Sequence, residues 1–129
     1  MENNLLIGST FNTQFVECLA DISAIYPDNL KFKKYKRYIE SVKKMNPGLL
    51  IKVWKKHITD KYEAKIEEGN LDYFLNKDYK EDLSSLEKAE PIEAIIDDIR
   101  VIIVDMSQEN RDNSFKYIKN LTKLSKHYV

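Results

Sequence analysis

Leu50, Trp54, Ile58, Tyr62 and Ile66 stand four residues apart, with Leu49 and Val53 beside them, a spacing that marks one face of a helix. The same kind of stripe recurs along the chain. Phe11, Phe15, Cys18, Leu19, Ile22, Ile25 and Tyr26 form one; Phe32, Tyr35, Tyr38, Ile39, Val42 and Met45 form a second. Ile92, Ile95, Ile96, Ile99, Ile102 and Ile103 make a third, and Phe115, Ile118, Leu121, Thr122 and Leu124 a fourth. Only three glycines and three prolines punctuate 129 residues, whereas strands joined by tight hairpins need a turn residue about every 8–12 positions. The expected fold is therefore all-α. It is an irregular bundle of about five main helices around a single layer-packed core, in one helical domain over residues 1–129.

Local signals place the boundaries. Ser9 or Thr10 can cap a first helix that ends at Tyr26, because Pro27 disfavours helical geometry in the residue before it. Asp28 then offers an oxygen to a second helix from about Asn29 to Met45. Asn46-Pro47 pairs a capping residue with a proline that loses no hydrogen bond at the first helical position, so a third helix starts there. It extends toward Glu68 and stops at Gly69 in a left-handed conformation. A short helical piece over Leu71 to Leu75 follows an Asn70 cap, and Asp78 to Ser85 reads as loop. Pro91 opens a helix to about Met106; the rival reading is a buried strand at Ile99 to Val104, since β-branched residues favour strands. Ser107 caps the last helix, with Glu109 near its positive end and Lys123 and Lys126 near its negative end. No repeat of 20–50 residues suggests a solenoid.

The chain's apolar residues (43%) suffice for a core and its charged residues (33%) for a hydrated shell, so disorder is not expected. Cys18 is the only cysteine, which leaves the fold to packing alone and fits a reducing compartment. The first residues lack the basic start of a signal peptide, and the longest apolar run, Val101 to Val104, is far too short to span a bilayer. Contact with a membrane is not expected. Without an export signal, the glycosylation sequon at Asn120-Leu121-Thr122 carries no weight.

Zero net charge conceals a polarised sequence. Between Lys31 and Lys56 ten basic residues face one acid, a surplus of nine; between Asp60 and Asp112 sixteen acids face seven bases, a deficit of nine. If folding keeps these blocks apart, the surface is dipolar and orients a partner.

Residues able to carry a reaction are sparse. His57 and His127 are the only histidines and show no ligand spacing with Cys18, which itself lies on an apolar stripe and reads as core. Asp97 and Asp98 diverge by about 100° on their helix and cannot serve one substrate atom together. Glu90, Glu93 and Asp97 share a face that reads as solvated surface. With three glycines, no phosphate-wrapping loop exists. No catalytic, metal or cofactor residue is expected. The candidate interaction surface is Lys33, Lys34, Lys36, Arg37, Lys43, Lys44, Lys55 and Lys56. Phe32, Tyr35, Tyr38 and Trp54 lie close by in sequence, and cations with aromatics suit nucleic acid. Those aromatics, however, fall on inward stripes, where they serve the core.

Several short runs are similar to one group of proteins. Phe15-Val16-Glu17-Cys18-Leu19, Ile25-Tyr26-Pro27-Asp28, Asn46-Pro47 with Leu49-Leu50, and Tyr73-Phe74-Leu75 with Asp78-Tyr79 are the first of them. Ser107, Glu109-Asn110, Phe115-Lys116-Tyr117 and Leu121 to Ser125 complete the set. Together they resemble small uncharacterised helical proteins of nucleocytoplasmic large DNA viruses that infect algae and protists; that group often carries Trp where this chain has Phe115. The resemblance covers most of the chain and brings no catalytic motif. It implies a viral gene product in the virion or the infected host cell, in cytoplasm or nucleus. Such a product is expected to be a non-enzymatic structural or adaptor protein that contacts viral or host proteins, other virion proteins among them. The alternative expectation is a nucleic-acid-associated factor using the basic 31–56 segment.

Overall fold

The first helix starts well ahead of the Ser9 or Thr10 cap that the sequence suggests. In the computed structural model, which describes residues 2–76 and 91–129, α1 runs over Glu2–Ile25. Its early turns are held by the other end of the chain. Asn4 Nδ2 donates to the Val129 carbonyl at 2.9 Å, and the Val129 amide donates back to Asn4 Oδ1 at 3.1 Å. A helix start fixed by tertiary bonds needs no local cap, so Ser9 and Thr10 are ordinary exposed positions within the helix.

After Pro27, α2 spans Lys31–Met45. Asn29, and not Asp28, makes the side-chain bond at its entry, accepting from the Lys31 amide at 3.1 Å. Asn46 closes the helix by donating to the Val42 carbonyl at 2.8 Å. Asn46-Pro47 thus ends α2 and forms a turn, and the next helix begins slightly later than its proline suggests, at Leu49.

This third helix, α3, is continuous over 49–67 but not uniform: Leu49–Trp54 is α, Lys55–Thr59 is π, and Asp60–Glu67 is α again. The π turn answers a mismatch in the sequence. Residues spaced by four drift about 40° per step around a helix of 3.6 residues per turn, or roughly 160° between Leu50 and Ile66. A wide turn takes in about one extra residue and removes most of that drift. Leu50, Trp54, Ile58, Tyr62 and Ile66 are consequently all buried, at 0–3% exposure. Gly69, at φ 77°, ends the helix as expected.

A short α4, Leu71–Asn76, follows the Asn70 cap, whose Oδ1 accepts from the Tyr73 amide at 3.0 Å. The expected loop at Asp78 to Ser85 lies outside the described residues. Pro91–Val104 is helix α5, so the strand reading of Ile99 to Val104 does not hold. Burial shows why: Ile95, Ile96, Ile99 and Ile103 face inward, while Val101 and Val104 are 51% and 42% exposed, a helical and not an alternating pattern. The last helix, α6, is Gln108–Lys126, and Ser107 Oγ caps it by accepting from the Asn110 amide at 3.3 Å. Among the described residues there are six helices and no strand.

The helices enclose one apolar cluster. α1 packs on α2 and α6, α6 crosses the π turn of α3, and α5 lies against the start of α3 and α6. At the centre, Trp54 meets the edges of Phe11 and Phe15 at 5.9 and 6.1 Å between ring centroids. Its indole N–H donates to Thr122 Oγ1 at 3.2 Å, and one turn away Thr59 and Ser125 share a hydroxyl bond of 2.5 Å. Small hydroxyl side chains therefore line the α3–α6 crossing and satisfy one another there. Two residues leave the inward stripe of α2: Tyr38 is 40% and Met45 86% exposed. Tyr38 points about 100° from the Phe32–Ile39 line, and Met45 is the final residue of its helix.

Candidate interaction surface

The eight basic residues singled out in the sequence fall on two helices. Lys33, Lys34, Lys36, Arg37, Lys43 and Lys44 decorate α2, and Lys55 and Lys56 sit on the π turn of α3. On α2, Lys33, Arg37 and Lys44 project within about 40° of one another, away from buried Phe32 and Ile39. Lys36 and Lys43 flank this line on one side and Lys34 on the other. From Lys33 to Lys44 the row covers about 16 Å of helix.

Pairing separates these cations into two groups. Lys31, at the head of α2, meets Asp98 of α5 at 2.9 Å, and Tyr35 donates a short hydrogen bond to the same carboxylate. Burial and that bond hold the Tyr35 hydroxyl above its ordinary range. Lys55 donates to the Tyr128 carbonyl at 2.8 Å and so belongs to the scaffold. Lys33, Lys34, Lys36, Arg37, Lys43, Lys44 and Lys56 have no carboxylate within ion-pair distance among the described residues. Their positive charge is left for solvent or a partner.

Lys43 and Lys44 also line a groove of about 610 Å³, which Lys55 and Lys56 do not reach. Its far wall is the N-terminal half of α1, where Asn4, Leu5, Gly8, Ser9, Asn12 and Thr13 recur at helical spacing. Pro47, Gly48 and Tyr128 close the end. Asn12 ties the walls together by donating to the Pro47 carbonyl at 3.0 Å. The glycines admit the tyrosine: a Cβ on Gly48 would stand 2.6 Å from the Tyr128 hydroxyl, and one on Gly8 would touch the ring at 3.6 Å. No Asp or Glu lines this groove.

A second basic depression, of about 580 Å³, lies on α6 and includes Lys116, Lys119, Lys123, Lys126 and His127. Lys126 is neutralised by Glu63 at 2.7 Å and Glu67 at 2.5 Å, and Lys119 stands 5.8 Å from the centre of the Phe115 ring. Sequence alone ties Lys123 and Lys126 only to the dipole of the helix end.

The polar groups best equipped for chemistry are sealed in the core. His57 Nε2 lies 3.0 Å from Asp97 Oδ1, which also accepts from Arg100 Nη1 at 3.1 Å. Arg100 Nη2 donates to the Phe74 carbonyl at 2.9 Å and the Tyr62 hydroxyl at 3.3 Å, with its guanidinium 4.9 Å from the centre of each ring. Exposure is 6% for His57, 1% for Asp97 and 0% for Arg100. Asp97 is thus a buried counter-ion joining α3 to α5, and the expected solvated face of Glu90, Glu93 and Asp97 does not form: Asp97 turns inward to Arg100, and Glu90 lies outside the described residues. This constellation was hidden in the sequence because His57 on α3 stands 40 residues from Asp97 on α5. Cys18 is 2% exposed, and burial, then the charge of Asp21, pushes its thiol up to about 12.

No known family model matches this chain, and no curated protein or solved structure does. Among the described residues, no three His, Cys, Asp or Glu side chains gather closely enough to hold a metal ion, and no helix is long and apolar enough to cross a membrane.

The opposing wall of the groove was not found from the sequence. Its signal is the recurrence of Asn4, Gly8 and Asn12 with Leu5, Ser9 and Thr13. That period is legible only if the helix is taken to begin before Ser9.

Proposed function

We propose that the protein is a non-enzymatic binding module, a small structural or adaptor protein that works through protein–protein contacts. The observation that carries this reading is the division of its polar groups: the histidine, carboxylate and guanidinium best suited to chemistry are sealed in the core, while unpaired cations and bulky apolar side chains face outward. Leu5, Leu6, Met45 and Val129 are 68–95% exposed, and exposed apolar side chains beside unneutralised lysines are the raw material of an interface. Following the resemblance to large DNA virus proteins, the setting we propose is the virion or the infected host cell, and the partner another viral or a host protein.

Purification of the tagged chain from infected cells and from virions, with identification of what copurifies, tests the reading. A stoichiometric protein partner is the expected result; turnover of a substrate lost on changing one inward polar residue would overturn it.

The run of cations on α2 that have no carboxylate partner among the described residues favours one second reading, a nucleic-acid-associated factor. Phosphate binding by these residues must weaken steeply between about 50 and 200 mM salt. Undetectable DNA and RNA binding at the low end removes that reading.

A further inference from the structure

We infer that the groove between α1 and the α2–α3 turn takes an acidic peptide segment of a partner protein, one that carries a bulky apolar side chain between its carboxylates. The inference rests on the binding-module reading and gives it a site. Its volume, about 610 Å³, falls in the range of clefts that enclose a ligand group. Its lips offer two kinds of contact. Leu5, 72% exposed, and Pro47 present apolar surface, whereas Lys43 and Lys44 bring two ammonium groups that have no carboxylate of their own among the described residues. On the opposite wall the Ser9 and Thr13 hydroxyls, both on exposed residues, can bond a peptide backbone.

Other occupants fit less well. A second copy docked face to face would offer Lys43 and Lys44 no carboxylate, because a two-fold interface matches a patch with itself and no Asp or Glu lines this one. A lipid surface is not shaped to enter a groove. Nucleic acid would need a free aromatic face on which bases stack, but Tyr128 is built in as a wall: its ring lies against Gly8 and its hydroxyl against Gly48. Complementary charge at the rim sets both the choice of partner and the rate of encounter.

The test is selection from a random-peptide display library against the full chain, followed by titration of the winning synthetic peptides. Acidic peptides with a central large apolar residue are expected. Lys43→Glu with Lys44→Glu should weaken them at least about tenfold, or 1.4 kcal/mol. Lys116→Glu with Lys123→Glu makes the same charge change on α6, at exposed residues that do not line the groove, and should stay within about twofold. Both double variants alter residues without ion pairs among the described residues, and circular dichroism checks their fold. Equal losses in the two variants, winners without acidic residues, or no enrichment at all would each overturn the assignment. So would binding of phosphatidylserine vesicles or single-stranded DNA, and not of peptides, with the same sensitivity at Lys43 and Lys44. A copurifying partner that is indifferent to Lys43→Glu with Lys44→Glu removes the groove and spares the binding-module reading; absence of any partner removes the reading itself.

Discussion

His57 and Asp97 face each other at 3.0 Å inside the core, one carried by the π turn of α3 and the other by the middle of α5. The same Asp97 oxygen receives Arg100, so a single carboxylate compensates a guanidinium that is 0% exposed. Removing one partner of a buried pair leaves the other charge without compensation, an effect of about 3–5 kcal/mol. Asp97→Ala should therefore lower unfolding free energy by that amount in urea titration. Its neighbour sets the contrast: Asp98→Ala breaks a half-exposed pair with Lys31 and should cost about 1 kcal/mol. Equal losses in the two variants would contradict the ion-pair account.

Trp54 gives the fold its own reporter. The chain has one tryptophan, it is 1% exposed, and its emission should be blue-shifted when folded and red-shifted in urea. Thr122→Val keeps the shape of the side chain but leaves the indole N–H without its acceptor. The expected loss is about 1–3 kcal/mol, with the folded emission maximum still in the blue.

Gly48 and Tyr128 should be coupled. Gly48→Ala places a methyl 2.6 Å from the tyrosine hydroxyl, so the half-buried ring must swing off its rotamer, at a cost of about 0.5–1.5 kcal/mol. Tyr128→Phe removes the colliding oxygen, so the double variant should recover much of the loss. A double-mutant cycle by chemical denaturation measures the coupling; strictly additive effects would show that the ring does not sit against Gly48.

Alkaline pH should weaken the fold through Cys18. Its thiol is raised from an ordinary value of 9.0 to about 12, chiefly by burial. Above pH 9 the unfolded chain releases this proton and the folded chain keeps it, so the contribution is whole below pH 9 and drains away as pH climbs toward 12, by at most about 1.4 kcal/mol per pH unit. Cys18→Ala should show a shallower decline between pH 9 and 10, before most tyrosines titrate. At pH 8 the native thiol should also resist alkylation until denaturant is added.

The helices were legible because each buries a stripe whose period survives in the sequence, as with Ile92 to Ile103, and because Ser107, Asn70 and Gly69 act through bonds or dihedrals confined to their own neighbourhood. What the sequence could not reveal depends on distant residues. The first turns of α1 lean on Val129, and Asp97 turns inward because Arg100 and His57 await it there. The candidate surface was half legible. Charge density pointed to the α2 lysines, but a groove needs two walls, and the second is supplied by a stretch of α1 whose first turns bond to Val129. Lys55 illustrates the converse, since density alone could not show that its ammonium is committed to the Tyr128 carbonyl.

The wide turn at Lys55–Thr59 gives α3 one place where its length can change without changing its register. Loss of one residue from this stretch need not break the helix, because a plain α turn would close the gap. Everything downstream would then keep its side of the rod, with Ile66 toward the interior and Glu63 and Glu67 beside Lys126. A single-codon deletion of the exposed Lys56 would accordingly spare the packing, whereas the same loss in the plain α stretch that follows would turn all later residues by about 100°.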